Sequence, residues 1–179
     1  MRSRRSFPRA ASSCTFGIHP KREAAVHRNQ VILSLSLLLL TACASTMVPR
    51  ANTRDAIVTY VDAAAKVVAK SGPACETFSS PKWTAGDYYI FVIGPDNRIV
   101  CHLSAAEIGR PTSSLADFDG RAIGDAFVAA AARPEGHGWV DYMWPRPGMK
   151  TPSAKSAFVR SVTGPDGKRY IVGGGGYGL

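Results

Sequence analysis

The feature that most constrains the fold is an aromatic, alternating segment at Gly138–Pro145, which reads Gly-Trp-Val-Asp-Tyr-Met-Trp-Pro. Aromatic and β-branched residues favour a pleated, half-buried surface, and side chains alternate between the two faces of a strand. Val140, Tyr142 and Trp144 therefore share one face. The Pro-Arg-Pro-Gly sequence at the end of the segment predicts a turn and a returning strand. Because that strand carries Lys155, we expect the aromatic face to form the floor of a small-anion pocket.

A long amphipathic helix is predicted before this segment. Asn52, followed by Asp55 three residues later, resembles a capping box at the helix start. The apolar residues that recur at helical spacing are Ile57, Val58, Val61, Ala64, Ala65 and Val68. Gly72-Pro73 ends the helix. We expect the apolar stripe to pack across a sheet, and a coiled-coil partner face is the alternative.

Short strands and turns account for most of the remaining chain. The expected strands cover residues 87–93, 98–103, 138–144, 154–163 and 169–177. Turns at Pro95-Asp96-Asn97 and Gly164–Lys168 join two pairs of them as hairpins. A short helical turn is expected at 74–79 and a helix at 122–132, where alanines favour helix. Five strands with hairpin connections and helices predict an α+β fold with an antiparallel sheet.

Four consecutive glycines, Gly173–Gly176, lie inside the last expected strand. Glycine weakens a strand, but it allows another group to approach the backbone closely. We expect that group to be either the bound ligand or the long helix. Fraying of this strand is the alternative.

Several motifs, taken in order and spacing, resemble the Cache domain family of extracytoplasmic, PAS-like sensor modules. Gly138–Pro145 resembles the family pattern Gly-Trp-Val-x-Tyr-x-Trp-Pro, and Pro152–Val159 resembles the strand with the family's lysine. The other matching segments are Tyr89–Val92, Pro95–Arg98, Ile99–His102, Ile108–Pro111, Asp117–Gly120 and Gly175–Tyr177. The resemblance covers residues 53–179 and implies a single Cache domain with a five-stranded antiparallel sheet and a long N-terminal helix. Cys101 and Leu103 depart from the pattern, which affects the expected lining of the pocket.

The resemblance also implies a pocket for a small ligand. The candidate ligand-binding residues are Tyr89, Phe91, His102, Tyr142, Trp144 and Lys155. Lys155 carries a charge suited to a carboxylate, and Tyr142 and His102 can donate hydrogen bonds to its oxygens. Domains of this family bind short organic acids, amino acids or amines, and we expect a short carboxylate. The alternative is that Trp144 and Phe91 are core residues and that Lys155 is solvated.

The N-terminal region predicts export and lipid attachment. Val31–Leu40 is an apolar run of ten residues, which is too short to cross a bilayer but typical of a signal-peptide core. The following Leu-Thr-Ala-Cys resembles the bacterial lipobox. We therefore expect residues 1–42 to be removed, Cys43 to be acylated, and residues 43–52 to form a tether. An ordinary secretory signal is the alternative.

The segment formed by residues 1–25 is unusually long and rich in arginine for the start of a signal peptide. The compact basic start at Val26–Gln30 favours translation from Val26, so residues 1–25 are expected to lie upstream of the true start. A twin-arginine signal at Arg4-Arg5 is the competing interpretation, but it lies far from the apolar run. Ala44, which follows the lipidated cysteine, favours sorting to the outer membrane.

The net charge argues against a nucleic-acid partner. The whole sequence carries +9, but seven of its 22 basic residues and one of its 13 acidic residues precede Cys43. The chain from Cys43 onward therefore carries about +3. Because no concentrated basic run follows Cys43, the chain does not offer the charged face that nucleic-acid binding requires.

The remaining cysteines, Cys75 and Cys101, would lie in an oxidising compartment. A disulfide and two separate buried thiols are both open, because the sequence does not supply the Cα separation that a disulfide requires. No zinc-type cysteine spacing, cofactor motif or nucleophile motif is present. Cys101 and His102 point to opposite faces of a strand, which rules out that catalytic pair. We expect no metal, no cofactor and no enzyme activity.

These features predict a lipid-anchored periplasmic protein that binds a small ligand, either a short organic acid or an amino acid or amine. No membrane span or kinase region follows Leu179, so we expect relay through a separate sensor kinase, chemoreceptor or transporter. The alternative is a structural or interaction lipoprotein of the cell envelope without a small ligand. An open, polar pocket with Tyr142 and Lys155 would favour the sensor, whereas a pocket filled by Trp144 and Phe91 would favour the alternative.

Overall fold

The computed structural model describes residues 45–179. The helices and strands, in chain order, are α1 (Arg54–Ser71), α2 (Cys75–Phe78), β1 (Ile90–Ile93), β2 (Ile99–Cys101), α3 (Ile123–Ala131), β3 (His137–Pro145), β4 (Pro152–Thr163) and β5 (Arg169–Tyr177). Two 3₁₀ turns, Ala105–Glu107 and Thr112–Ser114, lie between β2 and α3. Within this part of the chain, no helix combines the length and the apolar composition that crossing a bilayer requires.

The start of α1 differs from the sequence-based prediction. Thr53, not Asn52, is the N-cap, and its hydroxyl accepts a hydrogen bond from the amide of Ala56 at 3.3 Å. The Asn52 side chain instead donates to the carbonyl of Tyr177 at 2.8 Å, which ties the chain before α1 to the end of β5. The predicted helix end is confirmed, because Gly72 has a φ of +78° and stops the helix.

The five strands form one antiparallel sheet in the order β2-β1-β5-β4-β3. The predicted α+β class and strand number are confirmed. The first hairpin is shorter than predicted at both ends. Before β1, Ala85 and Tyr88 bond to each other's backbone in a turn. After β2, the His102 side chain accepts the amide of Ser104 at 3.0 Å and bends the chain away from the sheet.

The two faces of the sheet carry separate hydrophobic layers. Strand β1 illustrates the alternation, because Ile90 and Val92 join the layer under α1, whereas Phe91 and Ile93 join the layer under α3. The buried residues of α1 are Ile57, Tyr60, Val61, Ala64, Ala65 and Val68. The prediction that the apolar stripe of this helix packs across a sheet is therefore confirmed.

The glycine run in β5 allows close approach from both layers. A Cβ at Gly174 would lie 3.2 Å from the Val61 side chain of α1, so the expected approach of the long helix is confirmed. A Cβ at Gly173 would lie 2.2 Å from the Phe91 ring. On the α3 side, a side chain of the protein itself therefore occupies the space above the strand.

A disulfide joins Cys75 to Cys101, with the two Cα atoms 5.2 Å apart. It links α2 to β2, the edge strand of the sheet. Strand β2 is only three residues long and pairs with β1 alone in the sheet. The disulfide therefore adds to the backbone hydrogen bonds that Ile99 makes with Gly109 and Arg110. The residue that follows Cys101 is His102, so the bond also restrains the start of the loop after β2.

Candidate functional site

The layer under α3 contains a cavity of about 400 Å³. It is bounded by the loop after β2 and by the turn between β3 and β4. The lining residues are Tyr89, His102, Leu103, Ser104, Glu107, Trp144, Pro145, Arg146, Pro147, Gly148 and Met149. A second cavity of about 20 Å³ shares Tyr89, His102, Glu107 and Trp144 with it and continues toward Phe91 and Tyr142. The site therefore has an open outer part and a nearly filled inner part.

Strand alternation places the aromatic residues of the site on one face. Tyr142 and Trp144 leave the same face of β3, and their rings lie 6.0 Å apart. The ring of Phe127 in α3 packs edge-on against the ring of Tyr142, with the ring centroids 5.4 Å apart. It is tilted against the ring of Phe91, with the ring centroids 5.1 Å apart. These contacts close the inner end of the site with hydrocarbon and leave the polar groups of Tyr89 and His102 toward the larger cavity.

Lys155 lies behind Tyr89, with only 2% of the residue exposed. Its ammonium donates to the Tyr89 hydroxyl at 2.7 Å. The Nζ atom also lies 4.0, 5.0 and 5.9 Å from the ring centroids of Tyr89, Tyr177 and Tyr142, respectively. The sheet register explains this arrangement, because Tyr142 of β3 and Tyr177 of β5 flank Lys155 of β4. The lysine therefore points into a box of three tyrosines.

No ion pair of Lys155 occurs among residues 45–179. Burial lowers the pKa of Lys155 to about 7, although the charge of Asp87 acts in the opposite direction. Burial, and then the charge of Lys155, lowers the pKa of His102 to about 4. His102 is thus neutral at pH 7, and because its Nδ1 accepts the Ser104 amide, its Nε2 carries the proton.

Burial also raises the pKa values of the three tyrosines around Lys155. The pKa of Tyr177 rises to about 12, and those of Tyr89 and Tyr142 rise further above their ordinary value. All three hydroxyls are therefore neutral hydrogen-bond donors near pH 7. The Tyr177 hydroxyl donates to the carbonyl of Pro145 at 2.7 Å and so fixes the start of the β3–β4 turn.

The structure distributes the predicted site residues over three positions. Tyr89, His102 and Trp144 line both cavities, and Phe91 lines only the inner one. Tyr142 lines the inner cavity and, together with Lys155, a separate cavity of about 410 Å³. Lys155 lines neither the outer nor the inner cavity and reaches the site through the hydroxyl of Tyr89.

Cys43 lies outside the described residues. Within residues 45–179, no group of three His, Cys, Asp or Glu side chains is arranged to hold a metal ion.

Two charged residues that line the outer cavity, Arg146 and Glu107, were not predicted from the sequence. Arg146 pairs with Asp87, and its guanidinium lies 4.7 Å from the centre of the Tyr177 ring. Glu107 accepts a hydrogen bond from Arg110 at 2.8 Å. Arg146 stands in the Pro-Arg-Pro-Gly sequence, which predicted a turn but not that the turn would fold over the cavity. Glu107 lies in a loop with no strand or helix pattern to place it.

The family model described as a Cache domain matches residues 58–177. A periplasmic sensor domain of a chemotaxis protein is 30% identical over 58% of this chain and 69% of that chain, with a TM-score of 0.49. A Cache chemosensory domain, solved to explain its recognition of carboxylic acids, is 22% identical over 69% of this chain and 84% of that chain, with a TM-score of 0.50. A methyl-accepting chemotaxis protein from Vibrio parahaemolyticus is 18% identical over 58% of this chain and 67% of that chain, with a TM-score of 0.46. The comparison with curated proteins finds no match.

The match to the family model covers more than half of the chain and includes every strand of the sheet and most of α1. The antiparallel sheet with its long N-terminal helix is the PAS-like fold that the sequence motifs predicted, and the likeness to the chemosensory domain agrees with it. Cache domains are sensory ligand-binding modules rather than enzymes. The chain therefore belongs to the Cache domain family.

Proposed function

We propose that this protein is a periplasmic sensor whose Cache domain binds a short carboxylate in the cavity bounded by Tyr89, His102 and Trp144. The observation that carries this proposal is the buried Lys155, whose ammonium bonds to the Tyr89 hydroxyl at 2.7 Å while that residue lines the cavity. A buried cation without a carboxylate partner favours an incoming anion. The carboxylic-acid recognition of the structurally similar Cache chemosensory domain supports the same ligand class.

The available donors suit a carboxylate. When Lys155 donates a hydrogen bond to the Tyr89 oxygen, the Tyr89 hydroxyl proton can be donated to another group. Neutral His102 can donate its Nε2–H. The Trp144 indole is a third donor on the cavity wall. The aromatic walls reduce the local dielectric, which strengthens hydrogen bonds to a charged group. These residues would hold the carboxylate, and the remainder of the ligand would occupy the outer cavity.

The size and charge of the cavity limit the other ligand classes. A volume of about 400 Å³ lies toward the small end of the range for ligand pockets. An amine would need a free carboxylate, but the carboxylate on the wall, Glu107, already accepts a hydrogen bond from Arg110. The outer wall also includes Arg146, whose charge favours an anion. A short organic acid therefore fits better than an amine.

The proposal includes a lipid anchor at Cys43 and relay to a separate membrane partner. The lipobox at Leu40–Cys43 supports acylation, and Ala44 supports the outer membrane as the location. A diacyl anchor holds a protein at the membrane durably, whereas a single chain holds it marginally. Ligand-induced change would then be read by a sensor kinase, chemoreceptor or transporter in the same envelope.

A structural or interaction lipoprotein is the second candidate function. One observation favours it: the rings of Phe91, Phe127 and Tyr142 reduce the inner cavity to about 20 Å³. If the outer cavity is simply a surface groove, the domain would act through its partners alone. Ligand binding decides between the two candidates.

The test is thermal unfolding of the purified protein with acetate, propionate, lactate, alanine and ethylamine. A ligand at a hundred times its dissociation constant stabilises the fold by about 2.7 kcal/mol, which raises Tm by several degrees for a domain of this size. We expect a shift with one or more carboxylates and none with ethylamine.

Two tyrosine variants make the test specific to the site. Tyr89→Phe removes the hydroxyl between Lys155 and the cavity and should abolish the shift. Tyr88→Phe is the matched control, because the hydroxyl of Tyr88 is near Asn52 and away from the cavity. Cooperative unfolding with no shift from any compound would favour the interaction lipoprotein instead.

A further inference from the structure

We propose that the Lys155–Tyr89 pair couples ligand binding to the uptake of one proton, so that the domain responds to an anion and to external acidity together. This inference rests on the proposed function, because it concerns the same cavity and an anionic ligand. It adds a second input to the sensor, namely the proton that accompanies the acid. The domain would then report the anion and the proton as a pair, which is the composition of the undissociated acid.

The surroundings of Lys155 make its charge dependent on the ligand. The side chain is buried, it has no ion pair among residues 45–179, and its one side-chain hydrogen bond goes to a neutral tyrosine. Three tyrosine rings surround the ammonium, and they compensate only part of the hydration that burial removes. An anion in the cavity would supply the missing negative charge and stabilise the protonated form.

The hydrogen bond to Tyr89 provides the link between this charge and the cavity. An ammonium has three donors and no acceptor, so it must donate to the tyrosine oxygen. The tyrosine proton is then available to another acceptor, either the Tyr177 oxygen or an anion in the cavity. A neutral amine instead has a lone pair, which can accept the tyrosine proton and turn it away from the cavity. Only protonated Lys155 therefore presents both a charge and a donor to an incoming anion.

The tyrosines and the histidine that face this pair are neutral over the relevant pH range. The three tyrosines have raised pKa values and stay neutral, and His102, with a pKa of about 4, is also neutral. Among the charged residues nearby, Asp87 pairs with Arg146, Glu107 with Arg110 and Asp141 with Arg54. Asp119 and Arg121 line a separate cavity with Lys155. Lys155, with a pKa of about 7 in the free protein, changes charge in this range.

The direction of the proton change also identifies the charge of the ligand. An anion raises the pKa of Lys155, and the complex takes up a proton above pH 7. A cationic ligand would lower that pKa, and the complex would release a proton. A neutral ligand far from the lysine would change neither the pKa of Lys155 nor the number of bound protons. The sign of the linkage thus separates the carboxylate class from the amine class without a structure of the complex.

Titration calorimetry of the purified full-length protein tests the inference. Propionate, or whichever carboxylate of the panel gives the largest thermal shift, is titrated at pH 8 in buffers of different ionisation enthalpy, because the slope of heat against that enthalpy counts protons. We expect an uptake approaching one proton per ligand. We also expect the affinity to fall by up to about tenfold per pH unit between pH 7.5 and 9.

Two lysine variants locate the proton. Lys155→Met should bind weakly, with no proton uptake and a flat pH dependence, whereas Lys66→Met, on the exposed side of α1 across the sheet, should behave like the unchanged protein. Binding without proton uptake, or with proton release, would overturn the inference and leave a ligand-binding domain. Absence of binding by every compound would overturn the proposed function, and the inference with it.

Discussion

At the scale of single residues, the strongest feature of this protein is Lys155, which is buried and has no ion pair among residues 45–179. Sequence alternation places Lys155 on the aromatic face, but neither the hydrogen bond to Tyr89 nor the box of tyrosines follows from that alternation. Burying a charge in this way costs free energy of folding. The lysine lies behind the cavity residue Tyr89, and in the proposed function its charge serves the ligand through that residue.

We expect Lys155→Met to be more stable than the unchanged protein at pH 6, with the difference shrinking as the pH rises. The folded-state pKa of Lys155 is lowered from 10.5 to about 7. Between these values the unfolded chain binds more protons, so the unchanged protein gains about 1 kcal/mol of stability per pH unit. Urea unfolding of both proteins at pH 6, 7, 8 and 9 measures the difference. A difference that stays constant over this range would show that Lys155 ionises normally in the folded protein.

Gly173 is a second residue whose identity the packing determines. A Cβ there would lie 2.2 Å from the Phe91 ring, so we expect Gly173→Ala to destabilise the fold by about 1–3 kcal/mol through overpacking. Phe91→Leu in the same chain should recover part of this loss, because the smaller side chain can yield. Denaturant unfolding of the two single variants and the double variant measures the coupling. Additive losses would mean that the ring and the added methyl do not compete for space.

At the scale of elements, β2 is held by its disulfide as much as by its strand pairing. The strand has three residues, lies at the edge of the sheet, and changes register against β1 between Val92 and Ile93. The bond between Cys75 and Cys101 fastens it to α2. Because His102 follows directly, the position of this cavity residue depends on the attachment of the edge strand.

We expect the double variant Cys75→Ser/Cys101→Ser to lose about 3 kcal/mol of stability, since the bond closes a loop across a sequence separation of 26. Denaturant unfolding with and without dithiothreitol measures the effect. The reductant should destabilise the unchanged protein. The double variant, which lacks the disulfide, is the control, and the reductant should leave its stability unaffected. If the reductant leaves the stability of the unchanged protein as it was, the bond contributes little.

At the scale of the whole molecule, the described domain is one sheet with a helical layer on each face. Helix α1 covers one face, and α3 with the loop before it covers the other. The cavity proposed to bind the ligand lies on the α3 side, where a loop rather than a long helix completes the cover. The proposed lipid anchor lies in a different part of the chain, at Cys43.

We expect Cys43→Ser to move the protein from the membrane fraction to the soluble periplasmic fraction, because the acylated thiol is the proposed anchor. Cell fractionation with an immunoblot measures the distribution. Cys14→Ser is the matched control, since Cys14 lies in the region expected to be removed, and it should leave the distribution unchanged. Membrane association of the Cys43→Ser chain would contradict lipid anchoring at this residue.

The sequence by itself determined the elements and their faces. Periodicity and turn residues predicted α1, α3 and all five strands, with β5 correct over 169–177, because these signals act between near neighbours in the chain. The ordered motifs identified the Cache family. Local pattern failed at the helix cap, where Thr53 and Asn52 are equally suitable by residue type and a distant carbonyl, that of Tyr177, decided between them.

Only the tertiary structure decided how the site is assembled. Tyr89, Lys155 and Tyr177 come from three separate parts of the chain, and their contact depends on strand order and register. Arg146 reaches the cavity from the turn between β3 and β4, and Glu107 reaches it from the loop after β2. Strand alternation in the sequence predicts on which face of the sheet a side chain lies. The charge state of that side chain depends on its burial and on its contacts with distant segments of the chain. For Lys155, that difference separates a solvated strand residue from a buried lysine whose pKa is lowered to about 7.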